Sequence, residues 1–197
     1  MRSKVTFGIL GCSSVAKNSF IPALLNSKHG SLEMLGSRSL LKSKKFAKKF
    51  HCTNYGNYDE ILENEKVESV YISLPIGLQE KWIIKAAKAG KHILCEKSST
   101  TSLHSAKKIL TECKKNNVRI MEDFSFLFHP QQKKVLELTN SKKFGKIFSF
   151  YGKFGFTLNY TPENFRFRKQ LGGGILNDVG CYIIRASQFF FQEMPVS

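Results

Sequence analysis

An α/β fold built on a doubly wound parallel sheet is what the order of elements predicts for the front of this 197-residue chain. Three observations carry it. Short apolar runs alternate with amphipathic stretches of helical spacing as far as Met121. A glycine-led turn follows the first apolar run directly and opens a helix. After Met121 the alternation gives way to a helix and an aromatic stretch of period two. The last observation places a domain boundary at 122, with residues 1–122 as one domain and 123–197 as part of a second.

The elements follow in order. Val5–Leu10 reads as a strand and Val15–Asn26 as a helix with Val15, Ile21, Leu24 and Leu25 apolar. Leu32–Gly36 is a second strand, Leu41–Phe50 a lysine-rich helix and Tyr58–Leu62 a short one. Glu68–Leu74 is a strand rich in β-branched and aromatic residues. Gln79–Ala89 is a helix that buries Trp82, Ile83, Ala86 and Ala87 and stops at Gly90. His92–Cys95 and Val118–Met121 are strands flanking the helix Ser102–Asn116. Right-handed crossovers then put the C-terminal ends of all these strands on one edge, where ligands bind. Beyond, Pro130–Asn140 is a helix and Ile147–Thr157 an antiparallel strand. Gly172, Gly173 and Gly174 lead into a last helix that ends near Phe191.

Composition narrows the function classes. Hydrophobic content is 42% and charged content 23%, ordinary for a globular domain. No apolar run approaches the about 18 residues of a membrane span, and the N-terminal run is too short for a signal peptide. The five cysteines are odd in number and lack CxxC spacing, so neither a disulfide framework nor a metal site is expected, and the chain reads as cytoplasmic. The net charge of +16 raises nucleic-acid binding. Against that, the cations are mostly lysine, paired on separate helices as in Lys44-Lys45, Lys107-Lys108 and Lys133-Lys134, which reads as solvated helix faces. A positive field also suits an anionic cofactor or nucleotide-linked substrate.

Four segments carry chemistry. Gly11-Cys12-Ser13-Ser14-Val15-Ala16 fits G-x-G-x-x-G/A with Ser13 in the second glycine position. The turn, the small residues and the helix N-terminus suit a pyrophosphate, which points to a Rossmann dinucleotide site at Gly11, Ser13, Ser14 and Val15. Ser37-Arg38-Ser39 closes the second strand, where an acid would select NAD through the ribose 2′-hydroxyl. Arginine there suits a 2′-phosphate, and no acid lies between Glu33 and Tyr58, so NADP is favoured over NAD; the other reading is a surface arginine in a loop. Lys97, after Glu96 at the ligand edge, suits proton donation to a substrate oxygen, with an exposed ion pair as the bland alternative. In the stretch Gly172 to Tyr182, Asp178 and Tyr182 share a helix face, and the glycines permit close approach of a ligand; otherwise this is a glycine-rich start of a helix with Tyr182 in the core. His129 either lines the cleft or plays a structural part.

Together these segments resemble the Gfo/Idh/MocA oxidoreductases. The matching stretches are Gly8 to Ala16 with Ile21 to Leu24, Ser37 to Ser39, Val70 to Pro75, Ala89 to Lys97, Met121 to Phe124 with Phe128 to Gln131, and Leu171 to Tyr182. The resemblance implies a second domain with a large open, mostly antiparallel sheet that often forms a homo-oligomer interface. It also implies hydride transfer between nicotinamide and a sugar, nucleotide-sugar or related carbinol or ketone. Lys97 and Tyr182 would be catalytic, and Asp178, Arg166 and His129 would meet substrate. Leu74, Pro75, Gln79, Glu96 and Lys97 would join the cofactor site. The stretch Phe165 to Arg168 resembles the branch of nucleotide-deoxysugar ketoreductases and dihydrodiol dehydrogenases. The chain departs from the pattern at Ser98, where proline is usual after Glu-Lys, at Gly77 and Gln79, where Asn and His are common, and at Leu127, where arginine is common. The family's chains are longer and this one stops as the large sheet is expected to begin. A second reading is therefore a shortened relative that binds cofactor without catalysis, or a gene fragment.

Overall fold

The computed structural model describes residues 4–141 and 143–196. The chain divides into two units, Met1–Glu122 and Asp123–Ser197.

The first unit is built on a six-stranded sheet. Its strands are β1 (Val5–Leu10), β2 (Gly30–Gly36), β3 (Asn54–Gly56), β4 (Ser69–Ile72), β5 (His92–Glu96) and β6 (Ile120–Asp123), in the order β3-β2-β1-β4-β5-β6. The pairs β1–β2, β1–β4, β2–β3 and β4–β5 are all parallel. The short β3 lacks an apolar run, and the sequence pattern does not predict it; it exists because Met34, Leu35 and Gly36 offer it a ladder. Helices α1 (Ile21–Asn26), α2 (Leu40–Lys49), α3 (Tyr58–Glu63), α4 (Ile76–Lys88) and α5 (Leu103–Lys115) cover the sheet. A π-helical turn, Ala16–Phe20, precedes α1.

Period-two alternation splits the core between the two faces. Leu10, Val70 and Ile72 join Ile61, Ile83, Ala86, Ile93 and Ile109 on one. Their sequence neighbours Ile9 and Tyr71 join Ala16, Ile21, Leu35 and Ala47 on the other. A sheet buried on both faces must draw nearly continuous apolar runs, as β1 and β4 do. Helix α4 begins earlier than its apolar face suggests: Pro75 occupies its N-cap, and Ile76 is already buried. It stops at Lys88, with Gly90 at φ +72°.

The strand order reverses between β1 and β4, and this opens a crevice at their C-terminal ends. Gly11 follows β1, Ser73 follows β4 and Ser37 follows β2, so three loops converge there.

The second unit holds α6 (Pro130–Asn140), 3-10 turns at Phe165–Phe167 and Lys169–Leu171, a π-helical turn at Leu176–Gly180 and α7 (Cys181–Phe191). One expectation is corrected here. Ile147–Thr157 is not a strand, and no strand, hence no antiparallel sheet, occurs beyond Asp123 among the described residues. The alternation of aromatic residues is present, but a strand exists only through hydrogen bonds to a neighbour, and these residues find none among those described. Phe148 and Tyr151 are almost fully exposed. No helix among the described residues is long and apolar enough to cross a membrane, and no disulfide joins any of the five cysteines.

Candidate functional site

The loop after β1 turns at Gly11, whose φ of +113° lies where side chains are strained. A Cβ there would also sit 2.9 Å from the Ser73 carbonyl oxygen. The turn is fixed from both sides: Gly11 N–H donates to Gly36 O at 3.1 Å, and Ser73 Oγ donates to Gly11 O at 2.9 Å. Ser13, in the second glycine position, accepts a hydrogen bond on its Oγ from Ala16 N at 3.0 Å. Serine there therefore satisfies one of the orphan N–H groups at the start of the helix, a task glycine lacks the atoms for. Ser14 and Val15 follow on the exposed side.

Around this turn lies a cavity of about 420 Å³ lined by Gly11, Ser13, Arg38, Lys42, Leu74 and Trp82, among others. Ser37 and Pro75 also border it. The structure thus brings together Gly11, Ser13, Ser37, Arg38, Leu74 and Pro75 of the residues expected to hold the cofactor. It adds Lys42, Tyr58, Lys81 and Trp82, and no Asp or Glu lines the cavity among the described residues. Ser39 caps α2 by accepting from Lys42 N at 3.4 Å, so Lys42 stands in the first helical turn after Arg38. That Ser-x-x-Lys spacing was the available signal, and the surrounding run of lysines hid it. Trp82, expected in the core, is only half-buried; it packs edge-on against Tyr58 with ring centres 4.8 Å apart, and Lys85 Nζ lies 4.6 Å above it.

Burial pushes the Tyr58 hydroxyl up in pKa, while the Arg38 charge and a hydrogen bond to the Arg38 backbone pull it down. Cys12, beneath the turn, is pushed up to about 11 by burial, with the Lys42 charge opposing. Its thiol is therefore a small packing group rather than a nucleophile.

Gln79 lies beneath the cavity rather than on its wall. It is 1% exposed, donates through Nε2 to Leu74 O at 2.9 Å and accepts from Cys95 Sγ at 2.6 Å. Its amide ties the start of α4 to β5 and does not line the cavity. Glu96 ends β5 and accepts from Tyr71 Oη. Lys97 follows in a half-buried bend, and the Lys97–Ser98 peptide is cis with serine in the place where proline is usual.

The second unit arranges its own candidates. Gly172 and Gly174 both have positive φ, and a Cβ on Gly173 would lie 2.5 Å from the carbonyl oxygens of both Phe165 and Arg166. The close approach permitted by glycine is here made to the chain's own backbone. Gly174 N–H donates to Arg166 O at 2.9 Å, and this folding brings Arg166 Nε to 2.7 Å from Asp178 Oδ2. Tyr182 is ringed by Phe124, Phe126 and Phe154 at centroid distances of 5.3–5.8 Å. It borders a cavity of about 390 Å³ with Phe150, Phe190 and Lys153. His129 is exposed, and its Nδ1 accepts from Gln131 N at 3.2 Å, which caps α6. Of the two roles expected for His129, the structural one has a visible partner. The π-helical turn Leu176–Gly180 lies within the Gly172–Tyr182 stretch, and the turn Ala16–Phe20 begins where the glycine-led segment ends. No cluster of metal-ligating side chains occurs among the described residues.

A parallel sheet with a glycine turn and a cation-lined crevice at its switch point defines a dinucleotide-binding α/β domain. The oxidoreductase family GFO_IDH_MocA, described as an NAD-binding Rossmann fold, matches residues 5–124, and the GFO/IDH/MocA C-terminal domain matches residues 133–197. The chain belongs to this family.

Among its relatives, a dTDP-3,4-didehydro-2,6-dideoxy-alpha-D-glucose 3-reductase from Saccharopolyspora spinosa is 34% identical over 96% of this chain and 57% of its own length. A D-xylose 1-dehydrogenase (NADP(+)) from Haloferax volcanii is 35% identical over 93% of this chain and 56% of its own. The crystal structure of a 3-ketoreductase from Actinomadura kijaniata, in complex with NADP and TDP-benzene, superposes with a TM-score of 0.84 at 31% identity, covering 96% of this chain and 58% of that one. The chain spans somewhat more than half the length of the curated relatives it matches.

Proposed function

We propose that this chain binds NADP through residues 1–122 and contributes to hydride transfer between nicotinamide and a sugar or nucleotide-sugar carbinol or ketone. The observation that carries the reading is the crevice itself. Gly11 leaves room that a Cβ would fill, Ser13 at the start of the following helix borders the same cavity, and Arg38, Lys42 and Lys81 line it with no acid among the described lining residues. Those residues fit a dinucleotide that carries a further phosphate on its adenosine ribose. Arg38 and Lys42 supply charge-assisted hydrogen bonds to such a phosphate, and Trp82 and Tyr58 supply flat apolar surface. NADP, when bound, supplies or takes up the hydride. The relatives' names, a dTDP-sugar 3-reductase and an NADP(+)-linked xylose dehydrogenase, support this substrate class.

In this reading Lys97 and Tyr182 hold and move the proton at the substrate oxygen, and Asp178, paired with Arg166, orients a neighbouring hydroxyl. Residues 123–197 form the substrate-side domain. Calorimetric titration with NADPH and NADH tests the cofactor half. NADPH is expected to bind more tightly, and Arg38→Ala to weaken it by roughly ten- to a hundredfold while leaving NADH little changed. Equal affinity for the two cofactors in the unaltered chain would overturn the assignment.

The second reading, cofactor binding without turnover, is favoured by one observation: residues 145–161 make no strand among the described residues. Incubation with NADPH and a panel of nucleotide 4- or 3-keto sugars separates the two. Oxidation of NADPH that Lys97→Ala abolishes supports the enzyme; tight binding with no oxidation supports the binder.

A further inference from the structure

Three side chains outside the crevice grip the segment that carries Lys97. Before it, Cys95 Sγ donates to Gln79 Oε1 at 2.6 Å, and Tyr71 Oη donates to Glu96 Oε1 at 2.5 Å. After it, Ser99 N–H donates to Glu122 Oε1 at 2.6 Å. Tyr71 is the notable member. It is fully buried in β4, and its ring stacks on Phe20 with centroids 3.7 Å apart and planes 6° from parallel. Phe20 belongs to the π-helical turn that follows the glycine loop. One side chain thus joins the phosphate end of the crevice to the end of β5.

Core packing does not account for the hydroxyl. Phenylalanine would fill nearly the same volume on Phe20 and Ile9's face of the sheet with no polar atom to satisfy. The phenol instead requires a carboxylate partner held partly away from water, an arrangement that costs desolvation and returns geometry. Geometry matters at this place. A lysine side chain has many rotamers, and its aim depends first on the backbone it leaves.

We infer that Tyr71 and Glu122 are positioning residues that clamp the 95–99 segment from its two ends and so set the direction of Lys97. The role given to Lys97 rests on the function proposed above; the clamp itself does not. Tyr71 acts through Glu96 and Glu122 through the Ser99 amide, so neither needs to touch cofactor or substrate.

The test uses the whole chain labelled with [13Cε]lysine, with the Lys97 signal assigned by its loss in Lys97→Arg. Tyr71→Phe and Glu122→Leu are each expected to displace the Lys97 signal while leaving most other lysine signals in place. Glu122→Gln keeps an oxygen that accepts from Ser99 and is expected to restore the unaltered position. NADPH affinity in Tyr71→Phe is expected to fall roughly fivefold, the scale of one hydrogen bond, with little change in the thermal midpoint. A Lys97 signal unmoved by Tyr71→Phe would overturn the inference. So would a loss of thermal stability with lysine signals shifting throughout, which marks a packing role only. If the unaltered chain fails to bind NADPH, the cofactor reading falls, and the Lys97 signal still decides the clamp.

Discussion

The two units spend their apolar residues differently. In the first, the sheet is covered on both faces, and among the described residues all buried apolar side chains but Phe124 and Val179 belong to it. In the second, Phe148, Tyr151, Tyr160 and Ile175 are each more than two-thirds exposed. What holds the second unit's candidate site is a small set of contacts: the Gly173 backbone approach, the Arg166–Asp178 ion pair and the aromatic rings around Tyr182. The lesson is that, in the reading proposed above, the cofactor side would stand on a closed core, whereas the substrate side would stand on a few specific contacts. Damage to the two should therefore look different.

The largest effect is expected in the first core. Ile83→Ala empties a fully buried position between α4 and the sheet and should cost about 2–5 kcal/mol in urea unfolding, with loss of NADPH binding only through unfolding. In the second unit, Gly173→Ala forces a Cβ against two carbonyl oxygens and should cost about 1–3 kcal/mol. Its signature is rapid proteolysis near residues 165–175 with NADPH binding intact. If that variant also abolished cofactor binding, the independence of the two regions would be refuted.

A smaller effect concerns pH. The folded Cys12 thiol keeps its proton to about 11 against an ordinary 9.0. The stability this contributes is fully present below pH 9 and is lost as pH rises toward 11, because the unfolded thiol ionises first. Cys12→Ala should flatten the fall in thermal midpoint across that interval; an unchanged slope would assign the fall elsewhere. The smallest effects belong to exposed groups. Asp59→Asn breaks the 2.6 Å contact to Lys85 between two half-exposed side chains, and Phe148→Ala removes a ring already in water. Each should change stability by no more than about 0.5 kcal/mol by chemical denaturation.

Much of the first unit was legible in the chain. The runs Val5–Leu10 and Val70–Ile72 are apolar on both faces because both faces are covered, and Gly11 announces a turn that no side chain fits. Arg38 could be read as a crevice residue from its place at the end of the second strand. Lys42 and Trp82 could not: one sits in a lysine-rich helix and the other at helical spacing with core residues, and periodicity gives a face but not the depth of burial. Gln79 stands at a motif position that points to the cofactor, and the structure gives its amide to Leu74 and Cys95 instead. Ile147–Thr157 has the pattern of a strand, and pattern alone does not supply a partner.

By itself the sequence determined the family, the parallel sheet and the residue types at the crevice, since apolar period, glycine placement and motif order are local properties of the chain. The tertiary structure decided which of those residues share a wall: that Lys42 joins Arg38, that Tyr71 reaches Glu96, and that Arg166 meets Asp178. The reason is that a hydrogen bond or ion pair forms within about 3 Å, and the partners that come this close are set by crossovers and close backbone approaches between segments distant in the chain.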